Sequence, residues 1–145
     1  MQNLERSCGA IVFTRKNGQP LFVIVQEQAG AYSFPKGHME GNETELETAQ
    51  REVFEEIGIH PRFLEGFLQE NEYDLAENPG ARKHVTYFLA EFQDETLIPR
   101  EGEIKAIQLL PYEQAMECFI FEKPRQILSA AYHFLTKQKH SSRKP

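Results

Sequence analysis

Apolar positions recur along this chain in two different periods. Ser7 to Thr14 is a short apolar run that predicts a strand. Lys16-Asn17-Gly18-Gln19-Pro20 predicts a turn, and Leu21 to Gln26 a second, more alternating strand. Gln28 to Ala31 reads as a loop leading into Tyr32-Ser33-Phe34-Pro35-Lys36-Gly37. The period then becomes helical, with Leu46, Ala49, Val53 and Ile57 as an apolar stripe. Thr44 predicts the N-cap, and Glu47 three residues on completes a capping box. Gly58 predicts the stop, because glycine takes positive φ at little cost. Phe63 to Tyr73 predicts a long strand, Asn78-Pro79-Gly80 a turn, and His84 to Phe92 a strongly alternating strand. Ile104 to Leu110 predicts a further strand. Pro111 suits the opening of a short helix to about Cys118. Pro124 to Lys137 predicts a last helix, with Ile127, Leu128, Ala131 and Leu135 on one side. Residues 140–145 are polar and basic and read as a flexible, frayed tail. Strands mixed with a few helices predict one α/β (α+β) layered domain over residues 1–145.

The polar face of the first helix carries the chemistry. Glu52, Glu55 and Glu56 stand at i, i+3 and i+4, so three carboxylates share one face. Like charges so placed weaken a helix unless a cation joins them. Hard divalent cations take oxygen ligands, so the cluster predicts Mg2+ or Mn2+.

Composition narrows the partners. The net charge of -6 argues against a general nucleic-acid surface, so a polyphosphate would be met by local basic groups and metal. No apolar run approaches the length of a membrane helix, and Met1 to Arg6 lacks a signal-peptide pattern. Cys8 and Cys118 are isolated, which suggests a reducing cytoplasm and no zinc site. The expected partner is therefore a small molecule, with neither nucleic acid nor membrane, for a cytoplasmic monomer or homodimer.

The spacing from Gly37 to Ile59 resembles the Nudix box, G-x5-E-x7-R-E-u-x-E-E-x-G-u, where u is aliphatic. Gly37, Glu43, Arg51, Glu52, Val53, Glu55, Glu56, Gly58 and Ile59 fill every fixed position. The resemblance implies an αβα sandwich around a mixed sheet. It also implies a metal-dependent hydrolase of a nucleoside diphosphate linked to another group. By the same resemblance, Glu52 and Glu56 match the principal metal ligands, Glu55 joins them, and the Gly37 carbonyl is a further ligand. Arg51 matches the arginine that orients the glutamates, and Glu43 a helper. A glutamate outside the box often serves as base or completes the metal site. Glu103, just before the Ile104 strand, is the first choice, with Glu101 or Glu52 as alternatives.

The similarity extends past the box. Phe34-Pro35-Lys36-Gly37-His38 resembles a run of asymmetric diadenosine tetraphosphate hydrolases, as do Leu46 to Ala49, Glu65-Gly66-Phe67 and Val85 to Glu91. Lys36 can meet phosphate as a point charge. Lys83 and Arg82 can meet a distal phosphate. His38 contacts phosphate or closes its loop, and Tyr87 offers a face for adenine, as its counterpart does in the resembled hydrolases. His60, His84, His133 and His140 form no spaced ligand set, and Leu109 stands where many relatives carry a tryptophan. The expected reaction splits a dinucleoside polyphosphate into ATP and AMP. Alternatives are a housecleaning hydrolase of oxidised nucleoside triphosphates, a hydrolase of another nucleoside diphosphate derivative, or a ligand-binding module without catalysis. The intact set of Arg51, Glu52, Glu55 and Glu56 speaks against the last.

Overall fold

The structure is a computed structural model and describes residues 3–75 and 79–141. Its strands are β1 (Asn3–Lys16), β2 (Gln19–Glu27), β3 (Tyr32–Ser33), β4 (Lys36–His38), β5 (Arg62–Phe63), β6 (Gln69–Asp74), β7 (Ala81–Glu91) and β8 (Ile104–Pro111). The helices are α1 (Glu45–Ile57), α2 (Tyr112–Glu117) and α3 (Glu122–Ser141). Strand β1 organises the sheet. It runs parallel to β7 from Asn3↔Ala81 to Phe13↔Glu91, and antiparallel to β4 and then β2 on its other edge. β2 carries β8 and β3, while β5 and β6 both pair with β7. The sheet is mixed, and parallel neighbours of this kind are covered on both faces.

That burial explains the continuous apolar run in β1, where Cys8 to Phe13 are all buried. Alternation sends Ile11 and Phe13 to one face, where they pack with Phe22, Ile24, Leu89 and the α3 residues Ile127, Leu128, Ala131 and Leu135. Ala10 and Val12 go to the other, against Val23, Val25, Ala90 and the α1 residues Val53 and Ile57. The result is the αβα sandwich. Ile11 is fully buried, so Ile11→Ala would cost about 2–5 kcal/mol.

The hairpin between β1 and β2 closes through Asn17 and Gly18, both at positive φ (53° and 81°), as a two-residue turn matching the twist of its strands requires. β1 is longer than its apolar run, because backbone pairing with β7 down to Asn3 needs no apolar side chain. The predicted Phe63–Tyr73 strand is two strands. Gly66, at φ 91°, breaks it and lets Phe67 turn inward against Phe134 of α3. The stripe of α1 is also corrected. Leu46 is 40% exposed, while Thr48 and Glu52 are buried beside Ala49, Val53 and Ile57. The helix is thus rolled toward its polar side. α3 begins at Glu122 and runs to Ser141, so Pro124 sits in its first turn, where its missing N–H costs nothing. Asn78 of the predicted turn and 142–145 of the expected tail lie outside the described residues. Among the described residues, no helix is long and apolar enough to cross a membrane.

Candidate active site

Local chemistry aims α1. Thr44 Oγ1 accepts from the Glu47 N–H at 3.1 Å, and Glu47 Oε1 accepts from the Thr44 N–H at 2.8 Å. This reciprocal cap satisfies two of the first-turn donors. Gly58 ends the helix at φ 77°, donating to Phe54 O at 2.8 Å. Thr86 Oγ1 donates to Glu45 Oε2 at 2.7 Å and ties the helix start to β7.

Arg51 lies at the centre of the polar face. Its Nε donates to Glu43 Oε2 at 2.6 Å, and its Nη1 to Glu52 Oε2 at 2.8 Å and Glu55 Oε1 at 3.2 Å. Its Nη2 donates to the His38 carbonyl at 2.8 Å and to Glu43 Oε1 at 3.0 Å. One guanidinium therefore holds three carboxylates and the β4 strand together. Glu43 also accepts from the Glu40 N–H and the Thr48 hydroxyl. These bonds, led by that from Arg51, hold its carboxyl at about 2.

The Cys8↔Gly37 pairing brings the backbone of β4 against α1. A Cβ on Gly37 would overlap the Glu52 carboxylate, so only glycine allows that approach. Burial raises the Glu52 pKa against the pull of Arg51. Burial also pushes Glu56 up to about 7, although the Lys36 N–H donates to its Oε1 at 3.3 Å. The site thus concentrates carboxylates whose charge burial disfavours.

These groups line a cleft of about 610 Å³ together with Lys36, Gly37, His38, Lys83, Arg100 and Glu103. Glu103 lies on its rim, 54% exposed, with Oε2 3.5 Å from Arg100 Nη1. Its carbonyl accepts from the Gln28 N–H and so fixes the rim to the β2–β3 loop. Glu101, exposed, is not among the lining residues. Lys83 is half-buried, and burial followed by the charge of Lys36 lowers its pKa. Arg82 departs from its expected place. It projects from the opposite face of β7 and is held by Glu72 at 3.0 Å and Asp74 at 2.5 Å.

Lys36 also lines a neighbouring apolar pocket of about 550 Å³, walled by Tyr32, Phe34, Tyr73, Tyr87, Phe119 and Phe121. Tyr87 is only 6% exposed and meets Phe34 edge-on at 5.5 Å, so it forms floor rather than an open stacking face. Tyr73 at 39% and Phe121 at 71% are the accessible rings. The sequence reading missed both, and also Arg100. The Tyr73↔Lys83 pairing puts Tyr73 on the Lys83 face, but that register cannot be read from either strand alone.

Among the described residues, no three acidic or imidazole groups already converge on one point. The donor set nonetheless fits a hard divalent cation. It offers oxygen ligands only, a backbone approach kept open by Gly37, and buried carboxylates that lack sufficient counter-charge.

The family model described as NUDIX domain matches residues 4–132. The chain belongs to the Nudix family. It is a Nudix pyrophosphohydrolase, and enzymes of this family generally use divalent metals. The chain is 34% identical over 144 residues to the asymmetrical bis(5'-nucleosyl)-tetraphosphatase of Sus scrofa, covering 90% of this chain and 95% of that protein. The Mus musculus protein of the same name is also 34% identical, over 142 residues, with the same coverage. The fold is similar to that of a C. elegans Ap4A hydrolase in a binary complex, with TM-score 0.83, 22% identity, and coverage of 92% and 98%.

Proposed function

We propose that this Nudix enzyme hydrolyses dinucleoside polyphosphates with Mg2+ or Mn2+, cleaving diadenosine tetraphosphate into ATP and AMP. The observation that carries the reading is the shared wall at Lys36. One side chain lines both the acidic cleft and the aromatic pocket. A ligand with a flat base at one end and a phosphate chain behind it suits that pair of cavities. The aromatic pocket lies to one side of the carboxylates, which favours lopsided cleavage. The 34% identical relatives are asymmetrical bis(5'-nucleosyl)-tetraphosphatases, which supports the same substrate class.

In this reading Glu52, Glu55, Glu56, the Gly37 carbonyl and Glu103 hold the cation. A cation held there would supply charge neutralisation at the phosphate oxygens and a lower pKa for the attacking water. Arg51 keeps Glu52 and Glu55 in place, and Lys36, His38 and Lys83 meet the phosphates. Tyr87 floors the base pocket while Tyr73 and Phe121 flank the base. With one Glu103 oxygen toward the cation, the other takes the proton of the attacking water. The water oxygen bonds to phosphorus while the phosphoanhydride P–O bond breaks, the bridging oxygen leaving on the departing nucleotide. Glu103 lines the cleft and Glu101 does not. Glu103→Gln is expected to lower kcat by about 10²- to 10⁴-fold, with Glu101→Gln near wild type.

The test is a panel of diadenosine tetraphosphate, nucleoside triphosphates and oxidised nucleoside triphosphates in Mg2+, with products separated by chromatography. ATP plus AMP is the expected pair. ADP as the sole nucleotide product, or faster turnover of an oxidised triphosphate, would overturn the substrate while leaving the Nudix chemistry standing.

A further inference from the structure

Three basic side chains line the acidic cleft, and they are not equivalent. Among the described residues, neither Lys36 nor Lys83 has a carboxylate ion-pair partner. Arg100 has two, Glu55 Oε1 at 3.3 Å and Glu103 Oε2 at 3.5 Å, both through Nη1. These are two of the carboxylates assigned above to the cation. The guanidinium thus stands between α1 and the rim of the cleft, pairing with one carboxylate 45 residues away in sequence and another three away. Its backbone is held separately. The Arg100 N–H donates to Glu56 O at 3.0 Å, and its carbonyl accepts from the Glu103 and Ile104 N–H groups at 3.2 and 2.9 Å. The side chain is 42% exposed and free of that anchoring, so it can turn while the Cα stays in place.

We propose that Arg100 is the exchangeable counter-charge of this site. It holds Glu55 and Glu103 while the divalent cation is away, competes with the cation for them, and once displaced turns to the polyphosphate as a substrate-positioning residue. The proposal rests on the reading that these glutamates hold the cation and that phosphates occupy the cleft. Its physical basis is simple. A cation entering the cluster takes over the neutralisation that Arg100 supplies. A displaced guanidinium beside a phosphate chain then offers a planar fork that matches phosphate oxygens.

The consequence is a pair of effects with opposite signs. Removing the guanidinium leaves the carboxylates less neutralised, so metal binds more tightly. It also removes a donor to phosphate, so substrate binds less well. A merely structural role would weaken both. Substitution leaves the backbone bonds intact, and exposed ion pairs contribute little to stability, so the variants are expected to fold.

The experiment uses full-length wild type, Arg100→Ala and Arg100→Lys. Mn2+ affinity is measured by electron paramagnetic resonance without nucleotide. KM and kcat are measured at saturating Mg2+ on whichever polyphosphate the wild type turns over fastest. For Arg100→Ala we expect Mn2+ binding roughly 3- to 10-fold tighter and KM raised about tenfold, with kcat changed less than about threefold. Arg100→Lys should return Mn2+ affinity to near wild type while KM stays raised, because an ammonium lacks the fork. Unchanged or weaker Mn2+ binding in Arg100→Ala, or an unchanged KM, overturns the proposal. A wild type that ignores dinucleoside polyphosphates would remove the substrate assignment alone, since both measurements still decide on Arg100.

Discussion

Two of the arginine–carboxylate clusters among the described residues are built alike and behave differently. Arg51 of α1 holds Glu52 and Glu55 on the helix and Glu43 just before it, with Glu52 only 10% exposed and Glu43 21%. Arg82 holds Glu72 and Asp74 across β6 and β7, where the acids are 43% and 80% exposed. His84 lies beside them, between Glu70 at 3.2 Å and Glu72 at 3.0 Å. Geometry is good in both clusters. What differs is water. Around Arg82, solvent screens each pair and the cluster can be lost cheaply. Around Arg51, partial burial strengthens each attraction and makes any unpaired carboxylate costly. The inner cluster is therefore a brace for the helix face and, in the function proposed above, the store of charge that a cation would neutralise.

The largest effect is expected from Glu56, the partly buried carboxylate one residue along α1 from Glu55, outside both clusters. Glu56→Gln is nearly isosteric and keeps a good helix former. Activity in Mg2+ is expected to fall by at least about 10²- to 10³-fold while the fold persists. Wild-type turnover would overturn the assignment of Glu56 to the cation.

Arg51→Ala should come next. It strands the buried Glu52, whose hydrogen-bond partner among the described residues is Arg51, while Glu43 keeps the Glu40 N–H and the Thr48 hydroxyl. Stability should fall by about 2–4 kcal/mol in urea unfolding. Activity should fall with it, because Glu52 and Glu55 lose their orientation.

A pH series sharpens the comparison further. The folded-state pKa of Glu56 is raised from 4.5 to about 7, so the folded protein prefers the protonated form. That preference favours folding fully below about pH 4.5 and is lost as pH rises through about 7. Glu43 runs the other way. Its carboxyl is held at about 2, so its contribution is present above about pH 4.5 and lost as pH falls toward 2. Between these limits Glu56 dominates. Metal-free protein should lose on the order of 1–3 kcal/mol from pH 5 to pH 8. Thermal melts should show Glu56→Gln flattening that slope, and saturating Mg2+ offsetting it. A slope unchanged by the substitution would sink the assignment.

Arg82→Ala should do least, leaving the urea midpoint close to that of the wild type and kcat/KM at the wild-type value, because solvent screens its ion pairs. A tenfold loss of activity would mean that the outer cluster serves the site after all.

The sequence by itself determined what local rules control. Thr44, Glu47 and Gly58 bound α1, and the i, i+3, i+4 spacing gathers its glutamates, because capping and periodicity act within a turn or two of chain. The β1, β2, β7 and β8 segments announced themselves by their apolar runs, and Asn17-Gly18 by its turn chemistry. Tertiary structure decided the rest. Gly37 meets Glu52 only because β4 pairs with β1 at Cys8. Lys36 and Lys83 share a cleft only because β1 lies between their strands. Arg100 reaches Glu55 across 45 residues through the loop before β8. The aromatic pocket draws on β3, β6, β7 and the α2–α3 turn. Leu46 and Arg82 show the same limit from the other side, since the roll of a helix and the face of a strand are set by packing partners. Register and roll are settled when distant surfaces bury each other, and no short window of sequence contains both surfaces.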